Sequence, residues 1–288
     1  MSSYIKKNQS HFSFTSFISS ALKEDIGNGD HTSLSTIPPN HIGKMRLLVK
    51  ENGILAGVEA AREIVHHYDK SIKFIQKLKD GTQVKPGDIA FYLEGKSQKL
   101  VTIERLVLNV MQRMSGIATK THRMQSLCNG TKAKLIDTRK TTPGFRFFEK
   151  WAVVIGGGAN HRYGLYDMIL IKDNHIDFCG DIDRAIEKTK SYLQKKKLKI
   201  PIEVEARTLN DVKRIAKHKG IYRILLDNFS PVETAKAVKL INGKIRLESS
   251  GGITEKNIRK YALCGVNYIS VGALTHHVKS LDLSLKAI

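Results

Sequence analysis

Beyond about residue 130 the chain repeats one pattern: a short apolar run, a polar turn, then an amphipathic stretch. The runs close at Ile136, Ile171, Glu205, Leu226, Leu247 and Val271, and helical spacing between runs is plain from Asp211 to His218. Strands alternating with helices predict a parallel sheet. Such units without a glycine-rich dinucleotide turn favour a barrel, complete or incomplete, over a doubly wound sheet.

The grammar before about residue 116 differs. A helix is expected from about Phe14 to Lys23, and the alternating stretches Lys44–Lys50 and Ile89–Leu93 read as strands. Turn signals at Asp80-Gly81 and Lys85-Pro-Gly-Asp88 separate them. Leu106, Val107, Val110, Met111 and Met114 then recur at helical spacing, predicting a long helix from about Thr102 into the Met124 region. The expected division is therefore an α/β domain over residues 1–116 and a barrel domain over 117–288.

The segments at the ends of the runs carry the candidate chemistry. Asp137-Thr-Arg-Lys-Thr-Thr-Pro-Gly144 follows the first and Lys172-Asp-Asn-His175 the second, while Glu203 and Glu205 lie in the third. Asp227-Asn228, Glu248-Ser-Ser-Gly-Gly252 and Gly272-Ala273 mark the ends of the others. Functional groups of βα barrels gather at the C-terminal ends of the strands. Arg139, Lys140, Lys172, Glu205, Asp227 and Ser250 thus predict one converged anion site. The turns Ser249–Gly252 and Val271–Ala273 would offer backbone N–H groups at strand-to-helix junctions, as a phosphate cradle does. Glu205 and Asp227, as hard oxygen donors, suit Mg²⁺ or ribose hydroxyls. The alternative for these two acids is a core ion pair. Cations, acids and cradle together suggest a sugar phosphate or a ribosyl pyrophosphate.

Composition narrows the classes. The 288 residues are 41% hydrophobic and 26% charged, ordinary globular values that argue against disorder. Lys+Arg 48 against Asp+Glu 27 gives a formal net charge of +21. That excess is spread along the chain, and its densest run, Lys188 to Lys199, reads as the solvated end of a helix. No zinc finger, aromatic-interleaved RNA motif or basic tail accompanies it, so no nucleic acid partner is expected. Cys128, Cys179 and Cys264 form no CxxC pair, which points to reduced thiols. No apolar run of about 18 residues exists and the N-terminus lacks a signal-peptide core, so a cytoplasmic protein with no membrane partner is expected.

Several motifs fail on spacing. Gly156-Gly-Gly-Ala-Asn-His161 places His161 where a dinucleotide loop needs its last glycine, and Ala90 stands where a P-loop ending at Gly95-Lys96-Ser97 needs its first. His66-His67 and His276-His277 read as surface or packing pairs. No serine has a nucleophile-elbow context.

DTRKTTPG at 137–144, GGGANHRYGLYDMILIKDNH at 156–175, EVEA at 203–206, LLDN at 225–228, LESSGGI at 247–253 and VGALTH at 271–276 resemble the quinolinate phosphoribosyltransferases. EDIGNGDHTS at 24–33 and ERLVLNVMQRMSGIAT at 104–119 fit the same family. The resemblance implies an N-terminal α/β sandwich domain followed by an open, incomplete seven-stranded α/β barrel. It implies transfer of phosphoribosyl from phosphoribosyl pyrophosphate to quinolinate with decarboxylation, Mg²⁺ as cofactor, and a homodimer with shared active sites, with higher oligomers open. By position, Arg139, His161 and Arg162 would grip the dicarboxylate, with Arg105 reaching in from the other subunit. Thr138, Lys140 and Lys172 join the substrate-binding set. Glu205 and Asp227 would hold ribose hydroxyls and the Mg²⁺-bound donor, and Ser250, Gly251, Gly252, Val271, Gly272 and Ala273 the 5′-phosphate. Lys140, Lys172, Glu205 and Asp227 are the catalytic candidates. The competing readings are a related barrel phosphoribosyltransferase with another acceptor and, on net charge alone, a nucleic-acid-binding protein.

Overall fold

The structure is a computed structural model that describes Tyr4 and residues 12–288. The chain divides into two compact units. One comprises residues up to His122, Thr141–Gly157 and Leu274–Ile288; the other comprises Arg123–Lys140 and Gly158–Ala273. The strands among the described residues are β1 (Ile42–Val49), β2 (Gly53–Ile54), β3 (Lys73–Gln76), β4 (Gln83–Val84), β5 (Ile89–Lys96) and β6 (Lys134–Ile136). They continue with β7 (Ile169–Ile171), β8 (Ile202–Ala206), β9 (Ile221–Asp227), β10 (Arg246–Ser250), β11 (Tyr268–Ser270) and β12 (Leu283–Ala287).

In the first unit four antiparallel strands form a sheet in the order β12-β1-β5-β3. Met45, Leu47 and Val49 alternate into the core from β1, as a half-buried strand requires. Leu283 and Leu285 of β12 are buried likewise, and Leu47 pairs with Leu285. The two helices read from periodicity run somewhat longer than expected, Phe14–Ile26 and Ser97–Ser126. Ser115 on the second is fully buried, and its hydroxyl both donates to Ala56 O at 3.0 Å and accepts the Ala56 N–H at 2.9 Å. That satisfies a backbone pair that burial would otherwise leave unmade. Helix Arg146–Ile155 joins this unit through aromatic packing: Phe12 stacks on Phe147 at 4.4 Å, and Phe17 and Phe145 lie 4.8 and 4.7 Å from Phe148.

The second unit is a parallel sheet, as the apolar runs led us to expect, with its strands in the order β6-β11-β10-β9-β8-β7. Every residue of β8 is buried, consistent with a parallel sheet covered on both faces. Six strands form where seven were expected. The seventh position is reduced to a single parallel bridge between Ala159 and Ile136. Ala159 N–H donates to Leu135 O at 2.9 Å and Asp137 N–H to Ala159 O at 3.3 Å, but the next donor, His161 N–H, turns to the Asp137 carboxylate at 2.9 Å. The side chain thus replaces the backbone carbonyl and ends the ladder. Among the described residues the sheet is not closed: β7 ends it on one side, and β6, with the bridge to Ala159, on the other.

Candidate active site

Side chains two apart on a strand share a face. Glu203 and Glu205 on β8, Arg223 and Asp227 on β9, and Glu248 and Ser250 on β10 therefore form two tiers, one inside the sheet and one at its C-terminal end. The upper tier gathers the residues expected from the sequence. Lys172, at the end of β7, places Nζ 3.9 Å from Glu205 Oε2, and the Asp173 N–H donates to Glu205 Oε1 at 3.3 Å. Burial raises the Glu205 carboxyl above its ordinary pKa, and the nearby charge of Asp227 raises it further. Two acids close enough to repel, on adjacent strand ends, are a donor set that a hard divalent cation fits.

The glycine turn lies next to them. Asp227 accepts from the Asn228 side-chain amide at 2.7 Å, and the Asn228 N–H donates to Ser250 O at 2.9 Å. Gly251 and Gly252 follow with φ of 92° and 59°, so two successive residues sit in left-handed conformations that glycine adopts without strain. Val271 N–H donates to Ile136 O at 3.1 Å, which brings the Val271-Gly272-Ala273 turn beside the end of β6. Thr138 follows that strand, and its Oγ1 accepts the Lys140 N–H at 3.0 Å. Arg139 and Lys140 are exposed beyond it.

Arg139 and Arg162 come together from separate segments. The Arg162 pKa is lowered by burial first and by the charge of Arg139 second, so the guanidiniums stand within electrostatic reach. Arg162 donates to Met168 O at 3.2 Å and lines a cleft of about 330 Å³ along β7 with Ile171, His175 and Lys188. Arg105 is not brought to this group within the second unit; it lies exposed on helix Ser97–Ser126 of the first.

The lower tier takes in His161, expected from the sequence to grip the dicarboxylate, and gives it buried partners that the sequence reading did not assign to it, Glu203, Glu248 and Arg223. His161 is 8% exposed and turned inward, with Nε2 3.0 Å from Glu203 Oε2 and 3.5 Å from Glu248 Oε2. Arg223 hydrogen-bonds Glu248 and lies 3.7 Å from Glu203 Oε1. Burial raises Glu203, and burial followed by the Glu203 charge pushes Glu248 up to about 7. Burial works against the Arg223 charge, but Glu203 and Glu248 outweigh it and raise its pKa. His161, Glu203 and Glu248 offer ligand atoms within 4.8 Å of one another, yet the Arg223 guanidinium already stands against both acids as their counter-ion, so the group is an ion network rather than a metal cage. Asp137, fully buried, supports it by accepting from His161 N–H and, at 2.6 Å, from the Asn160 amide.

An open α/β barrel with cations, paired acids and glycine turns at its strand ends is built to bind a phosphorylated, polyanionic substrate. Comparison with known proteins gives that class a family. The quinolinate phosphoribosyl transferase C-terminal domain matches residues 117–286, and the N-terminal domain of the same family matches residues 30–115. The chain belongs to the quinolinate phosphoribosyl transferase family. It is 45% identical to the chloroplastic carboxylating nicotinate-nucleotide pyrophosphorylase of Arabidopsis thaliana, over 92% of this chain and 80% of that one. It is 41% identical to a probable carboxylating nicotinate-nucleotide pyrophosphorylase of Bacillus subtilis, over 96% and 93%. The nicotinate-nucleotide pyrophosphorylase structure from Francisella tularensis superposes with a TM-score of 0.89 at 38% identity, covering 96% of each chain. Among the described residues no helix is long and apolar enough to cross a membrane.

Proposed function

We propose that this chain transfers the phosphoribosyl group of phosphoribosyl pyrophosphate to quinolinate, giving nicotinate mononucleotide, pyrophosphate and CO₂ in NAD biosynthesis. The observation that carries this reading is Lys172 standing 3.9 Å from Glu205, with Asp227 and the left-handed Gly251-Gly252 turn at the neighbouring strand ends; Arg139 and Arg162 supply the acceptor side. Two guanidinium forks match a small acid with two neighbouring carboxylates better than lysines would. Lys140 and Lys172 add positive charge for both substrates, and Thr138 and His161 complete the acceptor side. The Ser250-Gly251-Gly252 and Val271-Gly272-Ala273 turns take the 5′-phosphate on backbone N–H groups.

The chemistry asks the protein mainly for positioning and electrostatics. The pyridine nitrogen of quinolinate forms a bond to ribose C1 as the C1–O bond to pyrophosphate breaks. Positive charge spreads over the ribose in the transition state, where the Glu205 and Asp227 carboxylates stabilise it. Glu205 and Asp227 would hold Mg²⁺, which would supply neutralisation of the pyrophosphate charge. The N-ribosylated ring is then formally cationic. Its adjacent carboxylate leaves as CO₂, the electron pair stays on the ring carbon, and a proton from water completes the product. Lys140 and Lys172 hold the anionic groups in place during both steps.

The working unit under this reading is a cytoplasmic homodimer in which Arg105 of each subunit serves the other's site. The decisive assay is pyrophosphate release with quinolinate against nicotinate. Nicotinate lacks one carboxylate and leaves a guanidinium without its partner, so turnover is expected with quinolinate only. Comparable rates with both acids would overturn the acceptor assignment.

A further inference from the structure

Barrel interiors are ordinarily filled by Val, Ile and Leu. Here Glu203, Arg223 and Glu248 take adjacent strands β8, β9 and β10, with side chains no more than 5% exposed. Burying these charges carries a desolvation penalty that their pairing offsets only in part. Aliphatic side chains would build the same sheet with less penalty, so packing alone does not account for the tier.

His161 gives the tier a direction. Its Nε2 faces the two carboxylates, and its Nδ1 accepts the Arg162 N–H at 2.6 Å. One imidazole therefore links the buried acids to the backbone that carries Arg162. Asp137 fixes the peptide on the other side by accepting the His161 N–H. Arg223 in turn anchors the acids, and its guanidinium lies 4.1 Å from the centre of the Tyr268 ring. Arg162 needs such anchoring because it stands near a like charge. Arg139 and Arg162 repel before any anion is present, and a loosely held segment would let them drift apart.

We propose that Glu203, Glu248 and Arg223 are positioning residues for acceptor recognition, holding His161 and, through it, the Arg162 backbone so that Arg162 stands beside Arg139 for two neighbouring carboxylates. This rests on the acceptor assigned above. The tier acts on the acceptor and not on the donor, whose contacts lie on Glu205, Asp227 and the glycine turns. Loss of the tier should consequently separate the two Michaelis constants.

The test is steady-state kinetics of the full chain carrying Glu248→Gln. Glutamine keeps the shape and removes the charge, and Arg223 retains Glu203 as counter-ion. The KM for quinolinate should rise about tenfold, the scale of one weakened charged hydrogen bond, while that for phosphoribosyl pyrophosphate stays within about twofold. Glu248→Asp, which restores the charge, should recover part of the loss. A folded Glu248→Gln chain with both KM values unchanged, or with both raised together, overturns the proposal. If that variant does not fold, Glu203→Gln takes the same test with Glu248 left to pair Arg223. Failure of both to fold makes the tier a folding element and also overturns it. A wild-type chain that does not use quinolinate would instead overturn the acceptor assignment and this inference with it.

Discussion

A Cβ on Gly251 would stand 2.1 Å from Oδ1 of Asn228 and 2.9 Å from its backbone nitrogen. Asn228 itself has a φ of 55°, so two left-handed residues interlock the ends of β9 and β10. Gly251→Ala must therefore move the turn, not merely a side chain. Strain and displacement together should destabilise the fold by about 1–3 kcal/mol, lowering the unfolding midpoint by several degrees. Because the turn is the proposed 5′-phosphate cradle, the KM for phosphoribosyl pyrophosphate should rise at least about tenfold. Adding Asn228→Ala removes the side-chain clash but not the backbone one, so recovery should be incomplete. Normal donor kinetics in Gly251→Ala would remove the turn from the site.

Arg139→Lys keeps the charge and loses the fork. Quinolinate affinity should fall about tenfold or more, corresponding to one charged hydrogen bond. Arg139 is exposed, so the unfolding midpoint should hardly change. Equilibrium binding of quinolinate by calorimetry checks this, and unaltered binding would contradict the role given to Arg139.

Glu248 makes stability depend on pH in a stated direction. Its carboxyl is pushed from 4.5 up to about 7 by burial and by the Glu203 charge. Between those values the native chain holds a proton that the unfolded chain has released. The native state therefore loses relative stability as pH rises through the window, and the loss is complete above about 7. A shift of this size is worth on the order of 3 kcal/mol. Glu248→Gln cannot titrate, and the other groups are common to both chains. The midpoint advantage of wild type over the variant should consequently shrink by several degrees from about pH 4.5 to pH 7 in paired thermal melts. A difference that stays constant with pH would show that Glu248 titrates normally.

The upper tier was legible because chemistry at strand ends needs only local order: an apolar run, then Lys172 or Asp227-Asn228, marks its own position. Of the lower tier only His161 was singled out, and its buried partners were not. Arg223 sits inside Ile221-Tyr-Arg-Ile-Leu-Leu-Asp227, where one charge in an apolar run has no visible partner until β8 and β10 bring Glu203 and Glu248 beside it. The spacing of Glu203 from Glu205 and of Glu248 from Ser250 was the available signal, since residues two apart share a face. Strand β12 escaped for a similar reason. Its alternation is short, and its partner β1 lies at the other end of the chain. The seventh strand was expected from resemblance and is curtailed by a single side chain, Asp137, an outcome no periodicity encodes.

Arg105 separates a shared active site from a self-contained one. It lies exposed on helix Ser97–Ser126, whereas Lys172 ends β7 in the other unit. If Arg105 serves the partner's site, a two-fold dimer carries two composite sites. Arg105→Ala and Lys172→Ala should each be inactive alone. A heterodimer of the two variants places both lesions in one site and leaves the other intact. Random exchange makes about half of the dimers heterodimers, each with one working site, so mixing should return about a quarter of wild-type activity. Exchange can be verified independently by tagging one variant and recovering mixed dimers on an affinity resin. Mixed dimers with no recovered activity would place Arg105 in its own subunit's site or outside the site altogether.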